Sequence, residues 1–216
     1  MALIIIISIN ITMHPYLRTN RKKFFWINKR LFDLVISIFL LPLLFIISIF
    51  LLFLNPLYNP GRLVFVQERM GINCENFFAI KFRTMSPIKE ITRKYDEPIE
   101  LDRITPLGNI LRRMRIDELP QILNVLKGEM SLIGPRPDYY VHALEYLKNV
   151  EGYTERHAIR PGITGLSQVS LGYVDNLETI SKKVSIDNYY IQNVGYINEL
   201  KIIYSTLLVI IRGRGK

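Results

Sequence analysis

From Leu34 to Leu54 the chain reads "LVISIFLLPLLFIISIFLLFL", with no charged side chain. As a helix at ~1.5 Å per residue this run reaches ~30 Å, enough to cross the hydrocarbon core of a bilayer. A helix apolar on every face needs either lipid or a protein shell around it, and the remaining sequence is short for such a shell. Pro42 falls inside the run, where a missing N–H and a clash with the preceding turn predict a kink. The expected form is a re-entrant helix or helical hairpin over residues 29–56, with a kinked spanning helix as the alternative. Beyond it, "RLVFVQERMG" and "NFFAIKFRTM" are β-branched and aromatic stretches joined around "GINCE", which predicts a β-hairpin. Residues 86–103 are charged and poorly periodic, and read as a loop. Helical periodicity is expected over 107–115, 118–127 and 139–150, with Gly128 as a C-terminal stop. Near the C-terminus Ile197, Leu200, Ile203, Leu207 and Ile211 form one helical stripe, suited to a core or to a headgroup layer.

These patterns predict an α+β fold: a mostly helical domain with a small antiparallel hairpin, behind an N-terminal membrane-inserted element. The expected divisions are a tail at 1–28, the inserted helix at 29–56 and a domain at 57–216. The opening "MALIIIISI" lacks a basic region and a cleavage site, so it does not read as a secretory signal. The start site is left open between Met1 and Met13; Met13 opens a stretch leading into the basic cluster, which motivates the hypothesis of a start there, and detection of the Met1 peptide by mass spectrometry would overturn it.

The 216 residues fit one domain, and a single cysteine, Cys74, excludes both an internal disulfide and a thiolate metal cluster. A formal charge of +9 predicts an anionic partner: lipid, nucleic acid or a phosphorylated small molecule. Basic residues flank the apolar run on both sides, so both of its ends are expected in the cytoplasm. None of the 3 histidines has metal-ligand spacing, and there is no Gly-rich phosphate loop.

The chemistry concentrates in "RRMRIDELPQILNVLKGEMSLIGPRP", residues 112–137. Asp117 has two readings. It is a good N-cap for a helix with Pro120 in its first turn. It is equally a carboxylate beside free N–H groups, available as a nucleophile or as a ligand for Mg²⁺. Arg136 and Arg160 each precede a proline, which holds their backbones extended and presents each guanidinium fork from a stiff support. Lys81 and Arg83 alternate on the second strand and are expected on one face.

Together the landmarks "KRLFD" (29–33), "FVQERMG" (65–71), "KFRTM" (81–85), "DELPQILNVLKGEMSLIGPRP" (117–137), "RPGITG" (160–165) and "DNYYIQN" (187–193) resemble the bacterial sugar transferases, the monotopic phosphoglycosyl transferases. The resemblance implies transfer of a sugar-1-phosphate from a UDP-sugar to undecaprenyl phosphate, with release of UMP, through an aspartyl intermediate. Asp117 matches the nucleophile and a Mg²⁺ ligand, and Glu118 matches its catalytic partner. Lys81, Arg112, Arg136 and Arg160 match phosphate-facing cations, while Arg113 and Arg115 match less closely. The implied setting is the cytoplasmic face of a bacterial inner membrane, with membrane lipid as a partner, no nucleic acid, and a homodimer left open. Two departures stand out: Pro42 lies about one turn earlier than in many relatives, and Leu166 stands where many have Trp. Charge alone would equally suit a non-catalytic membrane-attached protein binding anionic lipid or nucleic acid.

Overall fold

The structure, a computed structural model, describes residues 20–87, 97, 100–171 and 177–213. Both candidate start sites, Met1 and Met13, and most of the charged loop after Ser86 lie outside these residues.

Helix α1, Asn20–Tyr58, is assigned without interruption and contains Pro42 and Pro56. It begins well inside the segment expected to be a tail, because Phe25 and Trp26 pack against the rest of the protein instead of trailing away from it. Phe25, Lys29, Asp33, Ser37, Leu51, Asn55 and Asn59 are buried along one side at helical spacing. The remaining faces expose Phe39, Phe45, Ile46, Phe50 and Phe53.

Both ends of α1 seat on the same body. Near its start Lys29 pairs with Glu199 at 2.6 Å, Arg30 donates to the carbonyls of Val125 (2.8 Å) and Leu126 (3.3 Å), and Asp33 accepts from the Leu132 N–H at 3.1 Å. Near its end Leu51 joins a cluster with Phe82, Leu107 and Leu111. Asn55 donates to the Gly61 carbonyl and Asn59 to the Arg83 carbonyl, both at 2.7 Å.

Strands β1, Val64–Met70, and β2, Asn76–Phe82, form the expected antiparallel hairpin, with Phe65 opposite Lys81. A 3₁₀ turn, Ile72–Cys74, joins them. Helix α2, Pro106–Arg113, starts on Thr105, whose hydroxyl accepts from the Gly108 N–H at 3.0 Å, with Pro106 in the first turn where its missing N–H costs nothing. A 3₁₀ turn, Ile116–Gln121, then runs into helix α3, Ile122–Lys127. Gly128 ends α3 at φ +91°, the left-handed conformation that favours glycine.

Strands β3, Ser131–Ile133, and β4, Gly162–Thr164, pair in parallel, a contact the sequence pattern did not reveal because each has only three residues. Here the backbones cross so closely that a Cβ on Gly134 would lie 2.6 Å from the Arg160 carbonyl oxygen, and one on Gly162 would lie 2.1 Å from the Gly134 nitrogen. Helix α4, Tyr140–Asn149, matches expectation, while the short α5, Leu166–Leu171, was not foreseen. Helices α6, Leu177–Gln192, and α7, Tyr196–Ile211, complete the domain.

Of the five residues of the C-terminal stripe, Ile203 packs against a core cluster and the other four face outward. Glu199 and Ile202 of α7 are buried, whereas Ile197, Leu200, Leu207 and Ile211 are exposed. Instead of one large core, several small apolar clusters stand between the helices and the hairpin.

Candidate active site

The carboxylate pair sits where the hairpin, the 3₁₀ turn and the segment after β3 meet. Asp117 is not the N-cap expected from the sequence. The helical turn starts earlier, at Ile116, with Arg115 at the cap position in a left-handed conformation (φ 58°, ψ 16°) that is uncommon for a side chain with a Cβ. This places both Asp117 and Glu118 in the first turn, and both are buried.

Glu118 is held by three cations. Lys81 reaches Oε1 at 2.9 Å, Arg136 reaches the same oxygen at 2.5 Å, and Arg115 reaches Oε2 at 3.2 Å. Burial alone would raise the Glu118 carboxyl, but Arg136 and Lys81 hold it well below the usual carboxylate range. Asp117 differs. Among the described residues no hydrogen bond or ion pair engages its carboxylate. Burial and the neighbouring Glu118 charge push it up to about 6, against the pull of Lys81, Arg136 and Arg112. Burial also lowers Lys81 to about 8, with Glu118 opposing.

Each cation has its own support. Lys81 rides on β2, and β2 is fixed to α3 by the fully buried Asn124, which accepts from the Ile80 N–H (3.1 Å) and donates to the Phe78 carbonyl (2.8 Å) as a neighbouring strand would. Arg112, on α2, donates from Nε to the Thr84 hydroxyl at 2.9 Å, just past the end of β2. Arg136 follows β3 in the tightly packed Gly134–Pro137 segment. Arg115 was undervalued by sequence reasoning, since only its positive φ, invisible in the sequence, turns it back onto Glu118.

Three cations lie elsewhere. Arg160 engages neither carboxylate: its Nε donates to the Gly128 carbonyl at 2.7 Å, and its charged neighbours are Arg30 and Asp33. Arg83 does not share a face with Lys81. The strand ends at Phe82, and Arg83 turns inward to donate to the carbonyls of Arg62 (2.6 Å), Met85 (3.1 Å) and Asn59. Arg113 bonds the Gly213 carbonyl at 3.3 Å on the surface.

Among the described residues no group of three or more His, Cys, Asp or Glu side chains is arranged to hold a metal ion. Glu118 is already committed to cations, so Asp117 is the carboxylate left to offer. That donor set suits a hard ion such as Mg²⁺ only if a bound phosphate supplies further oxygens, which is how that ion is commonly held.

Comparison with known proteins bears on this arrangement. A sequence model of the family described as bacterial sugar transferase matches residues 24–213. The UDP-N-acetylgalactosamine-undecaprenyl-phosphate N-acetylgalactosaminephosphotransferase of Aeromonas hydrophila is 35% identical over 190 residues, covering 87% of this chain and 44% of that protein. The UDP-glucose:undecaprenyl-phosphate glucose-1-phosphate transferase of Escherichia coli K12 is 36% identical over 182 residues, covering 83% of this chain and 39% of that protein. The exopolysaccharide production protein PSS of Rhizobium leguminosarum is 37% identical, covering 87% of this chain and 97% of that protein. The chain thus spans less than half the length of the first two relatives and nearly all of the third.

Proposed function

This chain belongs to the bacterial sugar transferase family, and from that premise we propose that it transfers a sugar-1-phosphate from a UDP-sugar to undecaprenyl phosphate, releasing UMP. The observation that carries the reading is the contrast within the carboxylate pair. Glu118 is clamped by Lys81, Arg136 and Arg115, while Asp117 feels the charges of Lys81, Arg136 and Arg112 and, among the described residues, has no hydrogen bond or ion pair of its own. An anionic diphosphate approaches a carboxylate only where positive charge offsets their repulsion, and phosphoryl transfer depends chiefly on such alignment and neutralisation.

In the proposed sequence an Asp117 oxygen attacks the β-phosphorus, the bond from that phosphorus to the bridging oxygen breaks, and UMP leaves with the electron pair. An oxygen of undecaprenyl phosphate then attacks the same phosphorus and frees the Asp117 carboxylate. Lys81, Arg112 and Arg136 neutralise the diphosphate oxygens, and Glu118 holds the first and last of these cations in place. Mg²⁺, when bound, supplies further charge neutralisation on those oxygens, with Asp117 as its protein ligand. Arg160 is retained as a phosphate-facing residue on the family resemblance, its Nη groups being uncommitted among the described residues.

The membrane reading rests on α1 and its surroundings. The segment Lys23–Tyr58 is long and apolar enough to cross a bilayer, yet both of its ends seat on one body, which supports entry and exit by the same face. The exposed apolar residues of α7, together with Ile110 and Met114 at α2, give that body further surface for the headgroup region. We place the domain on the cytoplasmic face of the inner membrane, in the first membrane step of surface glycan assembly.

The test uses purified protein in detergent with Mg²⁺, undecaprenyl phosphate and a panel of UDP-sugars. UMP release is expected with at least one donor and is expected to disappear in folded Asp117→Asn. With the lipid withheld, intact-protein mass should show a sugar-phosphate adduct on Asp117. Its absence, with turnover intact, would replace the covalent route by a one-step transfer.

A further inference from the structure

The segment Gly134–Asp138 carries Arg136 into the site and contains two prolines, which have no N–H to donate. The Gly134 N–H bonds the Thr164 carbonyl at 2.9 Å, and beyond it four successive carbonyls each have a donor. The Gly162 N–H bonds Pro135 O at 2.9 Å, Arg156 Nη2 bonds Arg136 O at 2.8 Å, Arg69 Nη1 bonds Pro137 O at 3.0 Å, and the Met70 N–H bonds Asp138 O at 3.0 Å.

The donor behind Arg136 is unusual. Arg156 is 1% exposed, a whole guanidinium taken out of water. Its Nε and Nη2 bond Asp187 at 3.1 and 2.8 Å, and its Nη1 pairs with Asp138. Asp138 also accepts from Lys183 and from the Tyr153 hydroxyl, and Asp187 accepts from the Ser167 hydroxyl at 2.6 Å. Two cations and two carboxylates balance. A buried ionic cluster of this kind contributes little net stability compared with apolar packing, but it permits one arrangement of its members and penalises the alternatives. Here that arrangement ends on the backbone of a residue whose side chain meets Glu118.

We propose that Arg156, braced by Asp138 and Asp187, is a positioning residue for the transfer: it fixes the backbone at Arg136 and so sets where that guanidinium stands over Glu118 and the substrate phosphates. The inference rests on the reading of the site given above. It concerns residues that touch neither carboxylate of the Asp117–Glu118 pair.

The experiment measures steady-state UMP release, with the UDP-sugar of the panel above that the chain turns over, in four single variants, in the Arg136→Lys/Arg156→Lys double variant and in Asp117→Asn. Arg156→Lys keeps the charge but loses the fork. Asp187→Asn loosens Arg156 from its far side and serves if the first variant fails to fold. Val184→Ala, in a neighbouring apolar cluster, is the stability control. Arg136→Lys reports the site itself. A purely structural defect lowers the active fraction, and so the apparent kcat, without moving KM. The expectation is that Arg156→Lys raises KM for the UDP-sugar about five- to tenfold and lowers kcat/KM about 10- to 100-fold. Asp187→Asn should do the same more weakly, and Val184→Ala should leave KM unchanged. Combined with Arg136→Lys, Arg156→Lys should add less than about twofold, because both act through one guanidinium. Factors that multiply, or an unchanged KM in Arg156→Lys and in Asp187→Asn, overturn the positioning role while Arg136→Lys and Asp117→Asn still impair turnover. Full activity in Arg136→Lys and Asp117→Asn overturns the reading of the site and this inference with it.

Discussion

Burial pushes the Asp117 carboxyl up to about 6, and the neighbouring Glu118 charge adds to that push. A proposed attacker must be ionised, so kcat/KM is expected to fall toward acid with a midpoint at or below about pH 6; a pH–rate profile checks it. The same shift has a sign for stability. The folded-state pKa lies above the unfolded one, so this group's favourable contribution is fully present below the unfolded pKa and is lost as pH rises through about 6. At neutral pH the ionised side chain therefore opposes folding. Asp117→Asn, measured by urea unfolding with a chelator present, is expected to gain on the order of 1–3 kcal/mol near pH 7.5, with the gain shrinking toward zero near pH 4. The two carboxylates could be picked from the sequence as a pair, but not told apart by environment. What separates them is that Arg136, Lys81 and Arg115 converge on one and not the other, and Arg115 does so through a backbone conformation that nothing in "MRIDE" announces.

Asn124 shows how one side chain replaces a structural element. By occupying the edge of β2 it fixes the strand bearing Lys81 against the helix that follows the carboxylate turn. Asn124→Leu leaves the Ile80 N–H and the Phe78 carbonyl without those partners, and is expected to cost about 2–4 kcal/mol in urea unfolding. Elements with a strong period were legible: the hairpin, α2, α4 and the Gly128 stop all fall where the pattern puts them. Those fixed by long-range contacts were not. Strands β3 and β4 are three residues each and pair only because glycines let two backbones meet, and α7 turns most of its regular apolar stripe outward because Glu199 is drawn in by Lys29 and Tyr190.

Over the whole molecule, the +9 charge predicts only an anionic partner; Lys81 and Arg136 meeting on Glu118 show where part of that charge is gathered, and the proposed function takes that place as the phosphate site. Phe24 and Leu57, exposed near opposite ends of α1, test the re-entrant arrangement. Cysteines placed there, in a Cys74→Ser background, are expected to react with an impermeant maleimide from the same side of sealed inverted vesicles; labelling from opposite sides would show a spanning helix. The double attachment of α1 has a practical consequence for anyone seeking a soluble catalytic fragment. A truncation beginning after Tyr58 strips the Lys29 partner from Glu199 and the Leu51 plug from Phe82, Leu107 and Leu111, so it exposes an ionic socket and an apolar one together. Such a fragment should emerge in inclusion bodies, and crystallisation trials would do better to keep the anchor and solve the detergent problem instead.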